Sequence, residues 1–150
     1  MRTDAVRGSV CGVRVRMSTL RALVRLLLAA FFAVAGVLHF TMTDAFATIV
    51  PPALPFYDVI GPDLIVQVTG VMEIAFAAGL LHPATRRATG WALAAYLLAV
   101  LPANIYMAME RIPLGGQSLS DAVLWGRVAL QFPLIAVVVW STEKESRLLL

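Results

Sequence analysis

Four long apolar segments constrain this chain more than any other feature of its sequence. They cover about residues 20–40, 64–81, 88–108 and 122–140. Each is close to the roughly 17–25 residues that a helix needs to cross about 30 Å of hydrocarbon. Lipid offers a backbone no hydrogen-bond partners, so a spanning segment of this length satisfies its own backbone as a helix. The sequence therefore predicts an all-α fold, a polytopic membrane protein built as a four-transmembrane-helix bundle.

The composition supports a lipid bilayer as the solvent of these segments. The chain is 60% hydrophobic and 14% charged, with a mean hydropathy of +0.84, whereas a typical soluble domain has about 25% charged residues. The net charge is +3, but the sequence has no basic stripe with interleaved aromatic residues, so nucleic acid is not a predicted partner. Cys11 is the only cysteine, which rules out an intrachain disulfide and a CxxC motif.

The segments divide the chain into three parts. Residues 1–19 are predicted to be a basic, disordered N-terminal tail, residues 20–140 a four-helix membrane domain, and residues 141–150 a charged cytoplasmic tail. Two alternatives concern the N-terminus. Translation could begin at Met17, or a secretory signal could end at the Ala-Val-Ala of residues 33–35, although the apolar run continues beyond that site.

The distribution of basic residues predicts the orientation in the membrane. Six arginines precede or begin the first segment, and further basic residues lie in the second connection and the C-terminal tail. They are Arg2, Arg7, Arg14, Arg16, Arg21, Arg25, Arg86, Arg87, Lys144 and Arg147. The first connection has neither lysine nor arginine. Because basic residues favour the cytoplasmic side, both termini and the second connection are predicted to be cytoplasmic.

The first outer connection is predicted to contain a short interfacial helix. Thr43 or Asp44 would cap it, the stretch "AFATIV" would form it, and Pro51 would end it. Two arrangements remain open for this connection. It lies on the outer membrane surface as a lid, or it packs on the ends of the spanning helices as a proline-rich turn.

The strongly polar side chains inside the spans are the candidate site. Glu73 stands in "IVQVTGVMEIAFAAGLL" without a second charge, and ionisable groups inside a membrane normally pair or face a cavity. Glu73 and Arg127 are the only opposite charges at comparable depth, so the sequence predicts an ion pair between them. Together with His39, Asn104 and Gln131 they would line one outward-facing polar pocket, a candidate ligand or proton site.

The same pair has a purely structural interpretation, because buried ion pairs also hold helices in register. Asn104 and Gln131 would then be inter-helix contacts, and Tyr96 is interpreted as packing. The sequence has no His, Cys and Asp cluster with metal-ligand spacing, so no metal site is predicted, and it leaves any catalytic residue unassigned.

Five sequence stretches carry a resemblance to a known family. They are "AGVLHF", "IVPPALP", "GVMEIAFAAGLL", "AVLPANIYMA" and "LWGRVALQ". In this order, over residues 24–140, they resemble the DoxX family of small bacterial four-helix integral membrane proteins. Four of the candidates, His39, Glu73, Asn104 and Arg127, match recurrent polar positions of that family.

The resemblance implies a function without a defined catalytic residue set. It implies a redox-associated membrane subunit or accessory protein in the bacterial inner (plasma) membrane, rather than a stand-alone enzyme. A quinone is the candidate cofactor, and a membrane or soluble oxidoreductase is the candidate partner. The alternatives are a small-solute or proton carrier and a non-catalytic membrane scaffold, and the sequence leaves a homo-oligomer open.

Overall fold

The computed structural model describes residues 3–143 of the chain, and the side chains of residues 17–143. The helices of this part are α1 (Thr3–Thr41), α2 (Thr43–Ala47), α3 (Tyr57–Ile60), α4 (Pro62–Leu81), α5 (Arg86–Met109) and α6 (Asp121–Thr142). Four segments are long and apolar enough to cross a membrane, namely Met17–Thr41 of α1 and the whole of α4, α5 and α6. The predicted all-α, four-span fold is confirmed, and the chain is a multi-pass membrane protein.

The four long helices form a closed ring. Helix α1 packs against α4, α4 against α5, α5 against α6, and α6 returns to α1. Large apolar side chains point away from this ring. Leu27, Phe31 and Leu130 are 61%, 58% and 66% exposed. An apolar exterior of this kind suits lipid and would be unfavourable in water.

Helices α1 and α4 approach each other most closely at two glycines. A Cβ atom added to Gly36 would lie 2.7 Å from the carbonyl oxygen of Gly70, and one added to Gly70 would lie 2.8 Å from the Cβ of His39. Small residues allow membrane helices this proximity. His39 and Glu73 each follow their glycine by three residues. The crossing therefore brings these two polar side chains to the same level.

Two apolar clusters fill the interior. The larger includes Phe32 of α1, Leu80 of α4, Leu93 of α5 and Val138 of α6, so all four spans contribute to it. The smaller lies at the other end of the bundle, where Ile49 packs with Met107, Ala108 and Leu124. We call this the outer end, because it holds the connection without basic residues. The side chains considered below lie along the interior that these clusters frame.

The first connection confirms the predicted short helix and corrects its cap and its end, since α2 ends at Ala47 and not at Pro51. The N-cap residue of α2 is Met42, and the Thr43 hydroxyl donates to the carbonyl oxygen of His39 at 2.8 Å. The reason is that α1 runs to Thr41, which leaves Thr43 within one turn of its last carbonyls. Ile49 is buried against the helix ends, as in the packed arrangement. Helix α3 was not predicted.

The N-terminal part differs from the predicted tail. Helix α1 begins at Thr3, so the backbone of residues 3–19 continues the first span as a helix. No proline interrupts this stretch, and adding a residue to an existing helix is far easier than starting a new one. At the other end α6 runs to Thr142. The prediction for residues 144–150 lies outside the described residues.

Candidate functional site

Three helices meet at the carboxylate of Glu73. This side chain belongs to α4, and the residue is 7% exposed. The Tyr96 hydroxyl of α5 donates to Glu73 Oε1 at 2.9 Å. The second oxygen, Oε2, lies 3.4 Å from His39 Nδ1 of α1, and within the described structure it makes no hydrogen bond. We call His39, Glu73 and Tyr96 the carboxylate cluster.

His39 connects this cluster to the outer end of the bundle. Its Nδ1 lies 2.8 Å from the carbonyl oxygen of Ala35. A carbonyl oxygen can only accept, so Nδ1 carries the hydrogen in this contact. The imidazole also stacks on Phe46 of α2, with ring centroids 4.5 Å apart and an interplanar angle of 5°. The short helix of the first connection thus covers His39.

Tyr96 is the residue of this cluster that the sequence analysis missed. It was interpreted as packing, and its ring does contact Phe76, with centroids 5.4 Å apart. Its hydroxyl, however, is buried beside Glu73. The available signal was chemical, because a buried tyrosine hydroxyl usually finds a hydrogen-bond partner. Tyr96 lies near the middle of α5 and Glu73 near the middle of α4.

A second polar cluster joins α5 and α6. Arg127 Nη2 donates to Asn104 Oδ1 at 3.2 Å, and Asn104 Nδ2 donates to Gln131 Oε1 at 3.1 Å. Gln131 Nε2 in turn donates to the backbone carbonyl of Leu97. Arg127 and Gln131 share one face of α6, as their i,i+4 spacing predicts. We call Arg127, Asn104 and Gln131 the amide ladder.

The ladder ends close to Pro102, which lies inside α5. Proline has no N–H, so the carbonyl four residues earlier, that of Leu98, loses its helical donor. The structure places the Gln131 amide on the neighbouring carbonyl of Leu97. Gln131 of α6 therefore binds the α5 backbone next to the carbonyl that Pro102 leaves without a helical donor.

The predicted ion pair between Glu73 and Arg127 is wrong. Glu73 contacts His39 and Tyr96, while Arg127 bonds to Asn104. The prediction compared depths along the membrane, which say nothing of the order of helices around the ring. Helices α4 and α6 are diagonal in that ring, so α5 supplies the partner of each. The five predicted residues are all placed on interior faces, but as two clusters and not as one pocket.

The opposite end of the bundle holds interactions that the sequence analysis did not foresee. Glu143, the C-cap of α6, accepts a hydrogen bond from Trp91 Nε1 at 3.0 Å and pairs with Arg87 Nε at 3.2 Å. Arg21 Nη1 donates to the Glu143 carbonyl at 3.1 Å, and Arg25 Nη1 donates to that of Ser141 at 2.6 Å. Basic side chains commonly bond the last carbonyls of a helix. The arginines had been counted only for orientation.

The chemistry available at the two clusters differs. A carboxylate with a free oxygen beside an imidazole and a phenol can accept, hold and release a proton. The amide ladder offers a guanidinium and hydrogen bonds, without an acid–base pair. Among the side chains of residues 17–143, no group of three or more His, Cys, Asp or Glu residues could hold a metal ion.

Comparison with known proteins gives one match. A family model described as a domain of unknown function (DUF8561) matches residues 28–142. No curated protein and no solved structure matches the chain, and the resemblance to the DoxX family stays a prediction. The matched range contains both polar clusters and most of the four spans. Because the match covers well over half of the sequence, the chain belongs to the DUF8561 family.

Proposed function

We propose that this protein is a redox-associated accessory subunit of the membrane, and that its carboxylate cluster exchanges a proton with a quinone-linked partner reaction. The redox link comes from the resemblance to the DoxX family. The proton site comes from one observation, the buried Glu73 carboxylate whose Oε2 atom has no hydrogen bond within the described structure. Ionisable side chains inside a membrane are functional candidates by default.

The free oxygen favours a functional site over a structural clasp. A carboxylate that only held helices together would be stabilised by hydrogen bonds to both oxygens, because an unsatisfied buried polar group is costly. Tyr96 satisfies Oε1. His39 Nδ1 already donates to Ala35 and stands 3.4 Å from Oε2. Glu73 thus retains an acceptor position for an added proton or for a hydroxyl group.

A route to this acceptor begins at the outer end. The His39 ring lies between Phe46 and Glu73, and imidazole is the side chain best suited to accept and release protons under physiological conditions. Movement of α2 would uncover the ring from the outer side. Tyr96 would hold the carboxylate in place while its other oxygen changes protonation state.

The donor set is compatible with a quinol headgroup. A quinol presents hydroxyl hydrogens, and Glu73 Oε2 is an acceptor without a hydrogen bond among the described residues. The quinone couple would supply two-electron, two-proton chemistry. In this proposal Glu73 Oε2 accepts a proton and Tyr96 positions the carboxylate. In the tautomer that carries its hydrogen on Nε2, His39 accepts that proton at Nδ1 and releases the Nε2 hydrogen toward the outer end, which gives the Nδ1–H form that donates to Ala35.

The orientation and the location belong to the same proposal. The arginine distribution supports cytoplasmic termini and a cytoplasmic second connection in a bacterial inner membrane. A cysteine introduced in residues 48–60, in a Cys11→Ser background, should react with an impermeant thiol reagent in intact cells. Reaction only after permeabilisation would reverse the orientation.

The functional test compares two carboxylates on the same helix. Glu73→Gln should abolish complementation of a strain that lacks the gene, measured as quinone-dependent respiration of its membranes. Asp63→Asn, at an exposed position in the first turn of α4, should complement fully.

Protein purified in mild detergent should release quinone on organic extraction, and the Glu73→Gln protein should release much less. Full complementation by Glu73→Gln would refute the proton site.

A second candidate function is a carrier for a small anion. It is favoured by Arg127, which donates to the neutral amide of Asn104 and forms no ion pair within the described structure. Purified protein in liposomes should then transport an anion, and Arg127→Gln should stop that flux while Glu73→Gln leaves it unchanged. Flux that depends on Glu73 instead would favour a proton carrier, and a scaffold would support neither flux nor quinone binding.

A further inference from the structure

An apolar groove runs along the outside of the bundle between α1 and α6. Its volume is about 320 Å³. The lining residues come from two helices and are all apolar: Val24, Leu27, Leu28, Phe31, Leu134 and Val137. It lies in the half of α1 that is nearer the arginines, away from the carboxylate cluster. A groove of this composition in a membrane protein is a place for hydrocarbon.

Basic side chains border the groove at one end. Arg21 and Arg25 flank the lining residue Val24 on α1. Arg25 is close enough to both Arg21 and Arg86 for mutual repulsion. None of these three arginines forms an ion pair within the described part of the chain. Arg21 and Arg25, which have no ion pair among the described residues, therefore lie where the hydrocarbon groove begins, and Arg86 is within electrostatic range of Arg25.

These arginines retain hydrogen-bonding capacity. Each guanidinium has five N–H donors. The hydrogen bonds described for Arg21 and Arg25 each use Nη1, on carbonyls at the end of α6. Arg21 also lies over the Trp140 ring, 5.2 Å from its centroid. Tryptophan is enriched at the level of lipid headgroups, so this contact is consistent with headgroup depth for the basic end.

We propose that the apolar groove and the arginines at its end bind one anionic phospholipid. The phosphate would lie among Arg21, Arg25 and Arg86, and one acyl chain would occupy the groove between α1 and α6. A lipid fits better than a partner helix, because a phospholipid carries an anionic phosphate next to a hydrocarbon chain. The surface likewise has arginines next to an apolar groove. Basic pockets between membrane helices bind anionic headgroups in this way. The bound lipid would fasten α1 to α6.

The test measures lipid retention and thermal stability of the purified protein. Native mass spectrometry should show phosphatidylglycerol retained, and phosphatidylcholine with the same acyl chains lost. A phosphatidylglycerol concentration of about 100 times Kd should raise the Tm in detergent by roughly 5–10 °C. Arg21→Gln and Arg25→Gln should each weaken binding roughly fivefold, and the double variant about thirtyfold.

Three controls make the proposal falsifiable. Arg111→Gln removes an exposed arginine at the other end, where it pairs with Asp121, and should leave retention unchanged. Val137→Phe fills the groove with the arginines intact, and should reduce retention even if the arginine variants do not fold. Equal stabilisation by phosphatidylcholine or by inorganic phosphate would overturn the proposal, as would a Val137→Phe protein that retains the lipid fully.

Discussion

The carboxylate cluster and the amide ladder are two polar groups buried in the same bundle, and they differ in how completely their hydrogen bonds are satisfied. In the ladder, Arg127 bonds to Asn104, Asn104 to Gln131, and Gln131 to a backbone carbonyl. In the carboxylate cluster, Glu73 has one oxygen bonded to Tyr96 and one oxygen free. The two clusters reach adjacent residues of α5, the Tyr96 side chain and the Leu97 backbone.

The difference separates a structural role from a chemical one. A buried network that satisfies its members makes the packing rigid and specific. A network that leaves one buried acceptor without a hydrogen bond lowers the stability of the fold. Such an acceptor calls for an explanation, and a chemical role is one. We therefore propose that the ladder holds α5 and α6 in register and that Glu73 carries the proton chemistry proposed above. The following predictions test that assignment, from the largest expected effect to the smallest.

The first prediction concerns the end of the ladder. Gln131→Leu should lower the free energy of unfolding by about 2–4 kcal/mol, because it removes the hydrogen bond to the Leu97 carbonyl and leaves the buried Asn104 amide without its acceptor. Gln67→Leu is the matched control, since Gln67 is exposed on α4 and should change stability little. Thermal unfolding in detergent measures both. Equal losses would mean that the ladder is not a stabilising network.

The second prediction concerns coupling within and between the clusters. Tyr96→Phe should cost about 1.5–3 kcal/mol, because it removes a hydrogen bond to a charged group. The losses in free energy of unfolding from Tyr96→Phe and from Glu73→Gln should not add, since the two residues share one hydrogen bond. The losses from Glu73→Gln and Arg127→Gln should add within about 0.5 kcal/mol. Strong coupling between Glu73 and Arg127 would contradict the two separate clusters and support a direct ion pair.

The third prediction concerns the close crossing of α1 and α4. Gly36→Ala should cost about 1–3 kcal/mol, because the new Cβ would meet the Gly70 backbone at 2.7 Å and force the helices apart. His39 and Glu73 would separate, while the ladder should remain intact. Gly126→Ala is the control, since its Cβ meets nothing within 4 Å, and it should be neutral or stabilising. If Gly36→Ala leaves the free energy of unfolding unchanged, the close crossing is not the cause of the His39–Glu73 contact.

The fourth prediction concerns the cover over His39. Phe46→Ala should cost about 0.5–1.5 kcal/mol, the usual contribution of an aromatic contact, and should expose the His39 ring. Modification by diethyl pyrocarbonate in a His82→Gln background reports on His39 alone and should become faster. Phe56→Ala, at an exposed side chain, should leave the rate unchanged. An unaltered rate in Phe46→Ala would show that α2 does not control access to the carboxylate cluster.

Part of the candidate site could be found without the structure. All five predicted residues belong to the two clusters, because charged and amide side chains deep inside apolar helices are rare and normally face the interior. A further signal was present in "GVLH" and "GVME", residues 36–39 and 70–73. Each places a polar residue three positions after a glycine, and the crossing of those glycines joins His39 to Glu73.

The sequence by itself determined the class of the protein, its four spans and the short helix after the first span. These properties depend on the length and spacing of apolar runs, which are one-dimensional. The tertiary structure decided which polar groups meet. Depth follows from counting residues, but contact also requires the order of helices around the ring and the rotation of each helix. Because α5 lies between α4 and α6, Glu73 meets Tyr96, and Arg127 meets Asn104.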